Sequence, residues 1–250
     1  MDYIKEFISK MHNLDTGQRA SDIFKDFLTL STYSLAQPFY QDEEIELKYK
    51  YTVNKYTKEQ AEEFSKLLAL LVSALEEEYQ DFLGEVFMQL NLSNANKGQF
   101  FTPYRVSKMM SSITGYHVKK YKDSDIMTLC EPCCGSGGII IAFAETLLEQ
   151  KINYQHCLYV EATDIDEMCY KMTYIQLALL GIPAKVIWGD SLSMRYNEVL
   201  YTPFYFLGDF KQKLEDRDRI NKMKEIISDN DNNTTQKISS GNQLKLFKFL

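Results

Sequence analysis

The chain has 250 residues, of which 45% are hydrophobic and 25% are charged, and its formal net charge is −7. This composition predicts a globular protein, and the negative charge excludes a general electrostatic attraction to DNA. The longest apolar stretches, such as residues 67–75, are too short to span a bilayer, and the amphipathic, acid-containing N-terminus is unlike a secretory leader. Five cysteines without such a leader indicate a reducing environment, so the prediction is a cytoplasmic protein.

Residues 1–98 are predicted to form a helical domain. Thr57 and Gln60 have the spacing of a capping box, and the apolar residues that follow recur every three or four positions. The segments 2–11 and 20–36 are amphipathic in the same way. Residues 41–56 have no pattern clear enough for an assignment.

A second domain is predicted from residue 99 to residue 210. Thr102 and Pro103 have the pattern of a helix start, and Gly115 has that of a helix end. One face of this helix carries Val106, Met109, Met110 and Ile113. Three short apolar runs then alternate with helical segments at 137–149 and 166–180, and this order predicts a parallel, doubly wound sheet. The runs are Ile126–Cys130, Cys157–Thr163 and Ala184–Trp188.

The C-terminal part of the chain has a different composition. A charged segment at 211–228 is predicted to be helical, and residues 229–250 are predicted to be a flexible tail. The first part of that tail, 229–242, is polar and of low complexity, which is typical of a linker.

A glycine-rich turn, Glu131-Pro132-Cys133-Cys134-Gly135-Ser136-Gly137-Gly138, lies between the first apolar run and the next helix. Glycines allow the backbone to approach a ligand, and a helix N-terminus offers unpaired N–H groups. Asp164 and Asp190 end the second and third apolar runs, where open α/β sheets place carboxylates against a nucleotide. Cys130 and Cys133 have half the spacing of a zinc site, but no second pair matches, so no metal site is predicted.

Four segments occur in an order that resembles the N6-adenine DNA methyltransferases, most of all the modification subunit of type I restriction-modification systems. They are Gln99–Pro103, Glu131–Gly138, Asp164 and Gly189–Leu192. The resemblance implies an α/β fold, a Rossmann-like class I methyltransferase core with a shortened parallel sheet, preceded by the helical domain. It also implies S-adenosyl-L-methionine as cofactor, bound by Phe100, Phe101, Thr102, Glu131, Gly135, Ser136, Gly137, Asp164 and Asp190.

The same resemblance locates the catalytic motif after a fourth strand, where the family has Asn-Pro-Pro-Phe/Tyr. An ungapped alignment puts that strand at Tyr196–Tyr201 and the motif at Thr202, Pro203, Phe204 and Tyr205. Thr202 offers a hydroxyl in place of an amide, and Phe204 replaces a proline. Loss of one oriented polar group from a preorganised site costs about 3–4 kcal/mol of transition-state stabilisation. The predicted protein is therefore a weak or inactive relative of these enzymes.

Three functions follow as alternatives. The chain is a DNA adenine-N6 methyltransferase, a pseudoenzyme that binds DNA or a protein partner, or a subunit whose active site a partner completes. The fourth strand is expected to be a sheet edge unless a protein partner, a second copy or the end of the chain covers it. The basic residues Lys108, Lys119, Lys120 and Lys122 are either a DNA contact or a solvated surface.

A short peptide at the chain end, Gln243-Leu244-Lys245-Leu246-Phe247, is similar to the peptides that dock bacterial proteins on the DNA sliding clamp. The predicted anchors are Gln243, Leu244, Leu246 and Phe247. A linker before them would supply reach. The alternative is a terminal strand that covers the edge of the sheet.

Overall fold

The computed structural model describes residues 2–14, 16–40, 42–90, 101–115 and 126–224. The chain divides into two compact units, Met1–Phe210 and Lys211–Leu250. Within the second unit, residues 211–224 are helical. Among the described residues, no helix is long and apolar enough to cross a membrane. The tail peptide lies outside the described residues.

The described residues before residue 91 form five α-helices. They are α1 (Tyr3–His12), α2 (Ala20–Ala36), α3 (Glu43–Val53), α4 (Lys58–Glu77) and α5 (Phe82–Gln89), with a 3-10 turn at Gln37–Phe39. The predicted capping box at the start of α4 is confirmed, because the Thr57 and Gln60 side chains each accept a hydrogen bond from the other residue's backbone N–H. Helix α3 occupies the segment without a clear pattern; Asp42 caps it and Ile45 anchors it in the core.

The second half of the first unit alternates helices with strands. In chain order these are α6 (Tyr104–Gly115), β1 (Met127–Glu131), α7 (Gly138–Glu149), α8 (Tyr154–Cys157), β2 (Leu158–Asp164), α9 (Glu167–Leu179), β3 (Ala184–Asp190), β4 (Arg195–Tyr201) and α10 (Pro203–Leu207). The four strands lie in the order β1-β2-β3-β4. The predicted alternation of strands and helices is confirmed.

The three predicted apolar runs form parallel strands, but the fourth strand runs in the opposite direction. Strands β1, β2 and β3 are parallel, but β4 pairs antiparallel with β3, from Asp190↔Arg195 to Lys185↔Tyr201. Only residues 191–194 connect the two strands. A parallel crossover needs about a dozen residues or more, whereas a short turn can join antiparallel neighbours. Strand β4 therefore runs back along β3 as the outer strand of the described sheet.

Helix α6 is oriented opposite to what its apolar residues would suggest. Its small residues Ser107, Ser111 and Gly115 are buried, and α6 packs against α7. A Cβ atom at Gly115 would lie 2.8 Å from Cγ2 of Thr146 on α7, so the two helices approach closely there. The apolar face defined by Val106, Met109, Met110 and Ile113 is exposed instead.

The helices before residue 91 and the sheet share one cluster of buried apolar side chains. Helix α2 packs against α9, and α9 in turn packs against β2 and β3. Phe24 and Phe27 of α2 and Tyr170 of α9 are fully buried. The domain boundary predicted at residue 98 falls outside the described residues, so the division into 1–98 and 99–210 stays a prediction.

Candidate cofactor site

The glycine-rich turn follows β1 at the carboxyl end of the parallel strands. Gly135 and Gly137 have positive φ values of 56° and 91°, which residues other than glycine rarely adopt. A Cβ atom at Gly135 would lie 3.1 Å from the ring of Phe101, so the turn and the segment before α6 are close together. The structure thus brings together two of the segments on which the family resemblance rests.

Asp164 joins the end of β2 to this turn. Its Oδ2 accepts a hydrogen bond from the Gly135 N–H at 2.8 Å, and its Oδ1 accepts one from the Asp166 N–H at 2.9 Å. Burial raises the pKa of this carboxyl group above its usual range. Asp166 has a different role, because its Oδ1 caps α9 through the Met168 N–H at 2.8 Å.

A cavity of about 660 Å³ opens beside the turn. Six of the predicted cofactor residues line it: Phe101, Thr102, Glu131, Gly135, Ser136 and Asp164. The cavity has the size of a small-molecule site, and its wall combines backbone groups, carboxylates and apolar side chains. The position at the carboxyl ends of parallel strands is where open α/β sheets bind their ligands.

Of the remaining predicted cofactor residues, the two that the structure describes, Gly137 and Asp190, are not among those that line the cavity. Asp190 does not line this cavity; its Oδ1 accepts a hydrogen bond from the Leu192 N–H at 2.9 Å and its Oδ2 one from the Ser193 hydroxyl at 2.8 Å. These bonds lower the pKa of Asp190, with the Ser193 hydroxyl as the main cause. Gly137 caps α7 behind the turn, and Phe100 lies outside the described residues.

The lining residues that the sequence analysis missed include two polar ones on other elements, Asp81 and Ser107. Asp81, which precedes α5, reaches the cavity from the helical region. Ser107 of α6 is only 1% exposed, and its hydroxyl has no hydrogen-bond partner within the described residues. Such buried hydroxyls normally have a partner, so this one is available to a bound ligand. Asp81 could have been recognised as a helix cap, but its distance from residue 131 in the sequence hid its link to the turn.

The structure separates the residues of the predicted catalytic motif from the glycine-rich turn. Because β4 is antiparallel to β3, Thr202 lies beside Ala184, the first residue of β3. This end of the strands is opposite to the end that carries the glycine-rich turn. Thr202 is fully buried; its Oγ1 donates to the Ile182 carbonyl at 2.7 Å and accepts from the Ala184 N–H at 2.9 Å. A hydroxyl bonded in this way holds the backbone together and is not free for a substrate.

The rest of that motif is also committed to packing. Pro203 begins the short helix α10, and the ring of Phe204 lies against Gly181, where a Cβ atom would be 3.0 Å from it. The ring of Tyr205 lies 4.3 Å from that of Tyr201 and 6.0 Å from that of Tyr159, measured between centroids. Residues 202–205 therefore form a structural cluster remote from the cofactor cavity.

The predicted basic cluster is described only at Lys108. Its Nζ lies 2.8 Å from carboxylate oxygens of both Glu145 and Glu149 on α7, so its charge is already paired. Lys119, Lys120 and Lys122 lie outside the described residues. Lys108 consequently serves the contact between α6 and α7 and gives no support to a phosphate contact.

Comparison with known proteins assigns the family. The model of the N-6 DNA Methylase family matches residues 78–237, which is more than half of the chain. The chain belongs to the N-6 DNA methylase family. The predicted resemblance to N6-adenine DNA methyltransferases is thereby confirmed, and S-adenosyl-L-methionine is the cofactor.

Two similar proteins illustrate the extent of the likeness. The type I restriction enzyme MjaIX methylase subunit of Methanocaldococcus jannaschii is 24% identical over 131 residues, which cover 50% of this chain and 21% of that protein. The chain thus spans about a fifth of that relative's length. A solved structure from Listeria monocytogenes, assigned as a class I S-adenosylmethionine-dependent methyltransferase, is 13% identical with a TM-score of 0.43 and covers 76% of this chain and 54% of its own.

The cavity fits the cofactor of this family on its own chemistry. The unpartnered Ser107 hydroxyl offers hydrogen bonding at one side, and Asp164 at the end of β2 offers carboxylate oxygens on another. Gly135 has no side chain, so the narrow space beside Phe101 stays unfilled by this residue. An amino acid joined to a nucleoside needs polar groups of this kind at both ends.

Proposed function

We propose that residues 78–210 form the cofactor-binding half of a DNA adenine-N6 methyltransferase. In this proposal Asp164 accepts hydrogen bonds from the ribose hydroxyls, and the turn at Gly135–Gly137 receives the amino-acid end of S-adenosylmethionine. Phe101 and Thr102 cover that end from the opposite wall. The observation that carries the proposal is the shared cavity of these residues at the carboxyl ends of β1 and β2. Asp190, at the end of β3, is proposed to approach the adenine.

Methyl transfer by these 250 residues alone is proposed to be weak or absent. The reaction needs an acceptor for the target amine and a ring to stack on the extruded base. The 250-residue sequence contains no Asn-Pro or Asp-Pro pair, because its five prolines follow Gln37, Thr102, Glu131, Ile182 and Thr202. The sequence at 202–205 resembles the motif, but it follows β4 at the end of the sheet opposite to the glycine-rich turn. The bound cofactor would supply the methyl group, but these residues supply no comparable acceptor.

A second candidate is an active enzyme whose site is completed by a protein partner, which includes a second copy of the chain. The exposed apolar face of α6 favours it. Met109 and Ile113 on that face are 60% and 68% exposed. The same helix lies beside the cavity, because its Ser107 is one of the lining residues. Large apolar side chains grouped beside a site are typical of protein–protein contacts.

A methyl-transfer assay distinguishes the two candidates. Adenine-containing DNA is incubated with the protein and methyl-labelled S-adenosylmethionine, with a fully active adenine methyltransferase as positive control. We expect labelling of the DNA near the background of a no-protein control. Turnover close to that of the control enzyme would contradict the proposal. Activity that requires a co-purified partner would favour the second candidate.

The tail at Gln243–Phe247 is proposed as a separate docking peptide for the bacterial sliding clamp. Its support is the sequence pattern Gln-Leu-Lys-Leu-Phe after a polar segment. In this proposal both parts of the chain are linked to DNA. The methylase half has DNA as its substrate, and the tail binds a clamp that is itself bound to DNA. A role in restriction-modification is proposed on the same footing.

A further inference from the structure

Asp81 connects the helical region to the glycine-rich turn. Its Oδ1 accepts hydrogen bonds from the Gly84 N–H at 3.1 Å and from Nε2 of Gln176 at 2.9 Å. Its Oδ2 accepts a short hydrogen bond from the Ser136 hydroxyl. Nε2 of Gln176 also donates to the Ser136 carbonyl at 2.8 Å. The carboxylate therefore fixes the middle residue of the turn from two directions.

The space for this carboxylate is provided by two glycines. A Cβ atom at Gly138 would lie 2.9 Å from Oδ2 of Asp81, and one at Gly84 would lie closer still. Both distances are shorter than real carbon contacts allow, and each glycine belongs to a helix, Gly84 to α5 and Gly138 to α7. Asp81, Gly84 and Gly138 consequently form one arrangement in which a side chain at either glycine would displace the carboxylate.

The carboxyl group of Asp81 has no positively charged partner within the described residues. The carboxylate is 8% exposed, lines the cofactor cavity, and forms no ion pair with a described Lys, Arg or His. Burial raises its pKa, whereas the donors Gln176, Ser136 and Gly84 act in the opposite direction. Both N–H donors bond to Oδ1, an oxygen that accepts hydrogen bonds in the ionised and in the protonated acid. A cationic ligand in the cavity would stabilise the ionised form of this buried carboxyl group.

We propose that Asp81 is a positioning residue that makes this cavity prefer S-adenosylmethionine to S-adenosylhomocysteine. The inference rests on the proposed cofactor function. The two molecules differ by a methyl group and by the positive charge of the sulfonium, which only S-adenosylmethionine has. A buried carboxylate nearby attracts that charge, and at protein-like dielectric constants the attraction is worth about tenfold in affinity. Asp81 would thereby favour release of the product.

Calorimetric titration of both ligands into the wild type and Asp81→Asn tests the proposal. Asparagine keeps the size of the side chain and removes its charge. The affinity for S-adenosylmethionine is expected to fall about tenfold more than the affinity for S-adenosylhomocysteine. An equal loss for both ligands would overturn the proposal, because a purely structural brace would not distinguish their charges.

Ser136→Ala is the matched control. It removes the hydrogen bond to Oδ2 and keeps the carboxylate, so it should weaken both ligands and leave their ratio as in the wild type. A ratio that falls as far as in Asp81→Asn would count against the charge as the cause.

The wild type alone gives a second test that does not depend on the folding of a variant. Sinefungin has an ammonium group where S-adenosylmethionine has its sulfonium, so both should bind more tightly than S-adenosylhomocysteine. Equal binding of all three would overturn this inference alone. Binding of none would overturn the proposed cofactor function and this inference with it.

Discussion

The two ends of the parallel strands in this sheet carry similar-looking sequences with opposite roles. At the carboxyl ends, the glycine-rich turn and Asp164 border an open cavity. At the amino end of β3, Thr202 and Tyr205 are packed against neighbouring backbone and rings. Both stretches have a polar residue followed by a proline where a strand ends, Glu131-Pro132 at β1 and Thr202-Pro203 at β4. The direction of the strand decides at which end of the sheet the residues after it lie. Because β4 is antiparallel to β3, residues 202–205 lie at the end opposite to the cofactor cavity.

The largest expected effect is a loss of stability from a substitution at Thr202, in the packed cluster remote from the cavity. Thr202→Val removes the hydroxyl that bonds the Ile182 carbonyl and the Ala184 N–H. Two buried backbone groups are then unsatisfied, so the free energy of unfolding should fall by about 2–4 kcal/mol. Denaturant unfolding measures this, and calorimetry should show unchanged affinity for S-adenosylmethionine. Thr202→Ser, which keeps the hydroxyl, should lose much less stability; a loss of ligand affinity without loss of stability would restore Thr202 as a site residue.

The second prediction concerns a substitution at the cofactor cavity. Asp164→Ala should weaken S-adenosylmethionine binding at least tenfold, about 1.4 kcal/mol, because the carboxylate is the proposed ribose ligand and holds the Gly135 N–H. Titration calorimetry measures the loss, and Thr202→Val serves as the control with a stability defect of its own. Unchanged affinity in Asp164→Ala would remove this residue from the cofactor site.

The two faces of α6 offer a sharper version of the same comparison. Ser111→Leu should destabilise the protein by about 1–3 kcal/mol, because Ser111 is buried on the helix face that packs against α7. Ile113→Ser on the exposed face should change stability by about 0.5 kcal/mol or less. Thermal unfolding of both variants checks this. A large loss in Ile113→Ser would mean that the exposed face is covered within the chain itself.

The smallest expected effect on stability concerns the tail. Leu246→Ala with Phe247→Ala should leave the melting temperature unchanged and abolish binding to a bacterial sliding clamp, for which micromolar affinity is expected. Two large apolar side chains contribute about 3–6 kcal/mol gross when buried, and ordering of the peptide offsets part of it. A melting temperature that drops by several degrees, with no clamp binding by the wild type, would support the alternative of a structural strand.

Much of the fold could be predicted from local sequence signals. The capping box of α4, the alternation of apolar runs with helices and the glycine-rich turn each depend on neighbours a few residues away. The direction of β4 depends on the short connection at 191–194, which an ungapped motif alignment ignored. The burial of Ser107 and the exposure of Ile113 depend on which helix packs against α6, and periodicity alone does not contain that information.

The site was predictable where its residues lie at the end of a strand or in the turn that joins it to the next helix. Glu131, Gly135, Ser136 and Asp164 were found in this way, and all four line the cavity. Asp81 was not, because its contact with Ser136 joins residues 55 positions apart. A long-range contact of this kind leaves no periodic or spacing signal in a single sequence.

Titration of S-adenosylmethionine into the wild-type chain tests the central claim most directly. The cavity at the carboxyl ends of β1 and β2 is predicted to bind the cofactor. Binding should give saturable heat and a rise in melting temperature, and Asp164→Ala should reduce both. The absence of both heat and thermal shift at millimolar cofactor would contradict the claim that these residues form a working cofactor site.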